Sequence, residues 1–156
     1  MALMKIGVIS DTHNYLDPQI EELFAGVDHI LHAGDVGMQP VLRALETIAP
    51  VTAVLGNTDS GVNLKLTELV EVAGGKFLIH HIVNPRWLGD DIKDRIARAR
   101  PDAVVFGHSH KPFSEVIDGT LFFNPGYAGK PKFGLERSVA ILHCDGKRIR
   151  PEFLPL

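Results

Sequence analysis

Sulfur and net charge are both scarce in this chain of 156 residues. Its single cysteine, Cys144, cannot close an internal disulfide, which fits a reducing compartment. The formal charge is only -3 and no basic stretch is long enough to follow a phosphate backbone, so stable nucleic-acid binding is not expected. No apolar run approaches the ~18 residues that a membrane span needs. The opening "MALMKIGVIS" lacks the long apolar region and small-residue cleavage site of a secretory leader, and reads as a strand. Repeats, low-complexity segments and interdomain linkers are also missing. With 45% apolar and 22% charged residues, what remains is one globular domain spanning 1–156, expected in the cytoplasm.

What is present is an ordered alternation. Strand "KIGVIS" (5–10) precedes "LDPQIEELFAG", where Asp17 reads as N-cap, Pro18 as the first helical position and Gly26 as the stop. Strand "HILHA", helix "QPVLRALETI" and strand "VTAVL" follow, a spacing that implies right-handed crossovers and a largely parallel sheet. "LTELVEV" and "KFLIHHI" then flank Ala73-Gly74-Gly75 as a hairpin. After helix "LGDDIKDRIARAR" and strand "AVVF" come hairpins around Asp118-Gly119 and Asp145-Gly146, so the tail is expected to build antiparallel sheet. The fold class is α/β: two mixed sheets stacked face to face with helices outside. One long Gly-, Pro- and Lys-rich loop, "NPGYAGKPKFGLE", has the length of a functional loop.

Five apolar runs end in polar clusters: Asp11-Thr12-His13, Asp35, Asn57, His80-His81 and His108-Ser109-His110. Parallel strands deliver their carboxyl ends to one edge, where ligands bind. His, Asp and Asn without Lys or Arg form a metal-ligand set. Its mixture of imidazole and carboxylate suits Mn, Fe, Zn or Co, and its size suits two ions better than one.

In this order, Asp11-x-His13, Gly34-Asp35, Gly56-Asn57, His81 and Gly107-His108-x-His110 resemble the calcineurin-like metallophosphoesterase superfamily. The short chain and the "NPG" of Asn124-Pro125-Gly126 look most like its small YfcE-like bacterial and archaeal phosphodiesterases. The resemblance implies a four-layer sandwich with two divalent metals per chain, Mn first, with Fe, Zn, Co or Ni as alternatives. It assigns Asp11, His13 and His110 to one ion, and Asn57, His81 and His108 to the other. Asp35 would bridge both ions through its two carboxylate oxygens. Asp35, Asn57, His81 and His108 would hold the catalytic hydroxide, which two ions ~3.5–4 Å apart can generate near neutral pH without a protein nucleophile.

Two departures from the family pattern stand out. Many members carry a histidine after the asparagine, thought to protonate the leaving group; here the stretch is Gly56-Asn57-Thr58-Asp59, and Thr58 is no general acid at neutral pH. Relatives commonly read "THGH" where this chain has His80-His81-Ile82-Val83, which aligns His81 with the ligand and puts His80 on the opposite strand face.

His32, Asp59, His80, Asn124 and Gly126 are candidates for supporting ligands or substrate, His32 being equally readable as a bonded core residue. Arg86, Trp87, Lys130, Lys132 and Arg137 read foremost as surface or loop residues that could also meet an anionic substrate. His29 reads as solvated, and His143 with Cys144 as a poor metal pair because neighbours on a strand point apart. The expected activity is metal-dependent hydrolysis of a small phosphodiester. A phosphomonoesterase on the same site is the enzymatic alternative. A metal-binding scaffold for protein assembly, as in the retromer subunit that resembles these enzymes, is the non-enzymatic one. Self-association into a homo-oligomer stays open.

Overall fold

The computed structural model describes residues 3–146 and 148–156; Met1 and Ala2 of the N-terminal stretch and Lys147 lie outside the described residues. Among the described residues, ten strands and three helices follow the sequence order β1 (Met4–Ile9), α1 (Ile20–Leu23), β2 (His29–His32), α2 (Gln39–Glu46), β3 (Val51–Ala53), β4 (Thr67–Val72), β5 (Gly75–His80), α3 (Asp90–Ala99), β6 (Ala103–Val105), β7 (Phe113–Ile117), β8 (Thr120–Asn124), β9 (Ser138–Asp145) and β10 (Arg148–Pro155). They form two five-stranded sheets, ordered β10-β9-β1-β2-β3 and β4-β5-β6-β8-β7.

Each sheet has a parallel trio at its heart. β1, β2 and β3 run parallel in the first, and β5, β6 and β8 in the second. Antiparallel strands flank each trio: the β9–β10 hairpin beside β1, β4 beside β5, and β7 beside β8. The hairpins expected from the turn residues form. The tail is not purely antiparallel, however, because β8 pairs parallel with β6. Turn chemistry specifies the β7–β8 hairpin locally, but which side of it meets β6 is a tertiary choice.

Buried residues from both sheets, among them Ile6, Leu31, Phe77, Val105, Phe123 and Leu142, interlock as a central core. On the outer face of the first sheet, Ile20 and Phe24, at and just beyond α1, pack with Val41, Leu42 and Leu45 of α2. On the outer face of the second, Ile96 of α3 packs against Leu78, Val104 and Phe122. The layers are helix, sheet, sheet, helix. Among the described residues no helix is long and apolar enough to cross a membrane.

α1 departs from expectation: it has four residues, and its N-cap is Gln19 rather than Asp17. The Asp17 carboxylate instead accepts the Gln19 N–H at 2.9 Å, which forms a turn before the helix, and the Arg137 guanidinium at 2.8 Å. A side chain 120 residues away has taken over the capping group.

Candidate metal centre

The parallel trios point the same way, so their carboxyl ends gather the polar clusters. β1 leads into Asp11 and His13, β2 into Asp35, β3 into Asn57, β5 into His81, and β6 into His108 and His110. Backbone bonds carry the pairing past the strand ends: Asp11 N–H to Gly34 O at 3.0 Å, His13 N–H to Asp35 O at 2.9 Å, and Gly107 N–H to His81 O at 3.0 Å. Five of the seven candidate ligands then turn into the left-handed region: Asp11, His13, Asp35, His108 and His110, with φ between 46° and 70°. Non-glycine residues hold such conformations only where the surroundings impose them, at about 1–3 kcal/mol each.

The turns bring two clusters side by side. Asp11, His13 and His110 form one group whose ligand atoms lie within 4.8 Å of one another, and Asp35, His81 and His108 form the other. Asn57 completes the second group, since its Oδ1 lies 3.1 Å from His81 Nε2 and 3.1 Å from His108 Nδ1. Asp35 Oδ2 stands between the groups, 3.2 Å from His81 Nε2 and 3.7 Å from His13 Nε2.

These atoms fit divalent metal ions. Two ligand atoms each about 2.1 Å from one ion stand roughly 3–3.5 Å apart, and several spacings here fall in or near that range. Asp11 Oδ1 is buried and has no hydrogen-bond partner, yet it lies 3.5 Å from His110 Nε2, 3.8 Å from His81 Nε2 and 3.9 Å from His13 Nε2. A buried carboxylate oxygen left unpaired is costly unless a cation meets it.

Each carboxylate is held by one oxygen and presents the other. Asp11 Oδ2 accepts Ser10 Oγ–H at 2.8 Å and His108 N–H at 3.1 Å, leaving Oδ1 toward the imidazoles. Asp35 Oδ1 accepts Thr58 N–H at 2.9 Å and Thr58 Oγ–H at 2.8 Å, leaving Oδ2. Asp35 therefore faces both groups with a single oxygen. Its other oxygen, Oδ1, carries the two Thr58 bonds.

Burial pushes the Asp11 carboxyl above its ordinary range, against the pull of His81, Ser10 and His110. Burial also acts upward on Asp35, but the two Thr58 bonds together with His81 and His13 outweigh it and the net shift is downward. His110 is lowered by burial, against the opposing pull of Asp11.

His81 Nδ1 donates to Ala33 O at 2.7 Å, which leaves Nε2 as the lone-pair nitrogen facing the cluster. His80 is not in the cluster; its Nδ1 lies 2.8 Å from Thr67 Oγ1 on the neighbouring strand. His32 is wholly buried and lies outside it too. Its Nδ1 accepts Gly34 N–H at 3.2 Å and its Nε2 lies 3.0 Å from Thr12 Oγ1, which donates to Val36 O at 2.8 Å. That chain braces the loops carrying Asp11 and Asp35, and burial drives the His32 imidazole down to about 3. Asp59 ties the Asp35 loop to the Asn57 loop, accepting Val36 N–H at 3.1 Å, Gly37 N–H at 2.9 Å and Gly56 N–H at 2.9 Å. Asn124 Nδ2 donates to Gly107 O and to Ser109 Oγ, both at 3.1 Å, while its Oδ1 accepts Gly126 N–H at 2.8 Å.

Other expectations change. Arg137 is paired with Asp17 inside the protein and is not offered to an anion. Arg86 and Trp87 keep their surface reading: Arg86 pairs with Glu115 at 2.7 Å on an exposed surface, and Trp87 is exposed. His29 is half-buried and bonded to Thr52 Oγ1 at 2.8 Å rather than solvated. Three contributors escaped sequence reasoning. Ser10 and Thr58 orient the carboxylates, and the buried Tyr127 ring lies 4.8 Å from the His110 ring and 6.3 Å from that of His13. Thr58 had a signal, being the residue that departs from the family pattern; Ser10 and Tyr127 had none.

Residues 4–147 match the model of the calcineurin-like phosphoesterase superfamily domain. A probable metallophosphoesterase of Methanothermobacter thermautotrophicus is 33% identical over 159 residues, covering 97% of this chain and 92% of that protein. A phosphodiesterase of Methanocaldococcus jannaschii is 33% identical over 168 residues, covering 94% and 97%. Among solved structures, a phosphoesterase-like protein of Streptococcus pneumoniae superposes with TM-score 0.79 at 25% identity, covering 99% of this chain and 91% of that one. Zinc-complexed Vps29 of Entamoeba histolytica has TM-score 0.75 at 22% identity, covering 97% and 99%, a likeness of fold alone.

Proposed function

Since the chain belongs to the calcineurin-like phosphoesterase superfamily, we propose that it is a metal-dependent phosphodiesterase acting on a small phosphate diester. The observation that carries this reading is the pair of adjoining ligand clusters, Asp11/His13/His110 and Asp35/His81/His108. A pair of divalent ions, Mn²⁺ first among the candidates, would supply Lewis acidity and make a bound water acidic enough to serve as the nucleophile. The chain's own residues position the reaction. Asp11, His13 and His110 would hold one ion and Asn57, His81 and His108 the other, with Asp35 Oδ2 facing both groups. The Thr58 hydroxyl donates a hydrogen bond to Asp35 and is no acid for the departing alkoxide. General acid help is typically worth ~10²–10⁴-fold, so good leaving groups are favoured.

The absence of a basic stretch supports a small diester over a long nucleic acid, acted on by a single domain of 1–156 in the cytoplasm. The test compares Mn²⁺-loaded protein on bis-p-nitrophenyl phosphate and on p-nitrophenyl phosphate. Release from the diester with little from the monoester is expected. Preference for the monoester would replace this reading with a phosphomonoesterase. No release from either, at two metals per chain, would favour an assembly scaffold.

A further inference from the structure

A cavity of about 440 Å³ adjoins the second ligand group and shares His108 with it. Its walls come from the loops that continue beyond His81 and His108: Ile82, Val83 and Pro85 from the first, Pro112 and Phe113 from the second, with Phe106 between them. The Phe106 and Phe113 rings stand 5.9 Å apart at 56°. Phe106 is buried beneath, Phe113 is half-buried, and Ile82 is 50% exposed. No carboxylate lines the cavity, and its one cationic lining residue is the exposed Lys111. An apolar recess beside so polar a centre is not needed to hold the ligands, because the hydrogen bonds described above already do so.

We propose that this cavity is the subsite for a planar aromatic ester arm of the substrate, either a nucleobase or a simple aryl group. The proposal rests on the phosphodiesterase reading. A diester held at the ligand clusters carries two arms, and one of them can pass His108 into the recess. The volume falls within the ~300–1,000 Å³ of small-ligand pockets. Phe113, Val83 and Ile82 offer apolar surface to a flat ring, whose face and edge suit neighbouring aromatics. Besides His108, the polar groups of the lining are Asn84, Ser109 and Lys111, too few to pair the hydroxyls of a sugar or polyol arm, which disfavours it. Lys111 at the recess suits an arm bearing acceptors, such as the ring nitrogens and carbonyls of a base.

The test uses the metal-loaded full chain and monoesters that share one phosphate dianion: phenyl phosphate, adenosine 5′-monophosphate and methyl phosphate. As inhibitors of bis-p-nitrophenyl phosphate hydrolysis, at least one aromatic ester is expected to bind about tenfold or more tighter than methyl phosphate. In Ile82→Asn and Phe113→Ala that ratio should shrink toward one, while inhibition by methyl phosphate stays unchanged. Ile82→Asn alters a half-exposed side chain, so it guards against an unfolded Phe113 variant. Which aromatic ester gains more separates nucleobase from aryl.

Methyl NMR of Ile82 and Val83 gives a readout independent of turnover. Shifts with an aromatic ester and none with methyl phosphate support the subsite, and would do so even if no ester were hydrolysed, which would sink the phosphodiesterase reading alone. Equal inhibition by all three esters, a ratio that survives both substitutions, or unmoved methyls would overturn the subsite.

Discussion

Thr58 shows how a single residue can be read correctly for what it cannot do and missed for what it does. Its identity excludes general acid chemistry from sequence alone. Its donation of both N–H and Oγ–H to Asp35 Oδ1 depends on the Asn57 loop folding back over the Asp35 loop, which no local pattern records. Residues that orient a metal ligand typically cost ~10–100-fold in affinity or activity when removed. Thr58→Val should therefore weaken Mn²⁺ binding by about that factor, with Thr58→Ser restoring most of it; isothermal titration with Mn²⁺ reads the difference. Unchanged affinity in Thr58→Val would remove Thr58 from the account.

His32 was legible as a residue near the ligands but not in its role, because buried imidazoles look alike in sequence. Its folded pKa, lowered to about 3, lies below the unfolded value of ~6.5. Between those values the unfolded chain binds more protons, so stability rises with pH across the window and is lost as pH falls from about 6.5 toward 3. The slope from this one group approaches ~1.4 kcal/mol per pH unit. Denaturant titrations from pH 7 to 4 should show a shallower acid decline in His32→Asn, whatever its stability at pH 7; an identical decline would contradict the buried neutral imidazole.

At the scale of the element, strand ends were the readable feature. Apolar runs ending in Gly plus a polar residue marked β2, β3 and β6 and predicted where their ends would meet. The reason for the glycines emerges only in three dimensions. A Cβ on Gly107 would collide with Ser10 Oγ and lie 2.8 Å from Asp11 Oδ2, and one on Gly56 would collide with Asp35. Gly107→Ala should cost about 1–3 kcal/mol as overpacking. Displacing Asp11 in this way should also weaken metal binding, so thermal melts and a Mn²⁺ titration of one preparation would both register the substitution. Full affinity in that variant would mean that Asp11 tolerates displacement.

The Asp17–Arg137 pair was hidden for the opposite reason: its partners lie in α1's leading turn and before β9, and each had a plausible local role. Removing one partner of a buried pair leaves an unpaired charge at ~3–5 kcal/mol. Arg137→Met should lose about that much in chemical denaturation, and Asp17→Leu added to it should recover a large part. Burial opposes ionisation of Asp17, yet its bonds to Gln19 and Arg137 hold the carboxyl below its usual range. The pair's contribution is therefore present above the unfolded carboxyl value of ~3.9 and is lost as pH falls through the folded one.

Across the whole molecule, the two clusters join what the core only stacks. Asp11, His13, Asp35 and Asn57 hang from the first sheet, and His81, His108 and His110 from the second. Divalent ions held there would tie the sheets together at one edge, so metal binding should stabilise the fold by linkage, about 2.7 kcal/mol at a hundredfold excess over Kd. The sandwich and the ligand order were legible because they depend on strand ends and their sequence. The β6–β8 pairing and the apolar recess beside His108 were not, since both arise from which faces meet.

The central claim is that a pair of divalent ions at these clusters drives diester hydrolysis, and the direct measurement is a Mn²⁺ titration of metal-stripped protein with bis-p-nitrophenyl phosphate in excess. Turnover absent at the start, rising to a plateau at two equivalents per chain and lost in Asn57→Ala, is the predicted result. Turnover that needs no metal, a plateau at one equivalent, or no turnover with both sites loaded would contradict it.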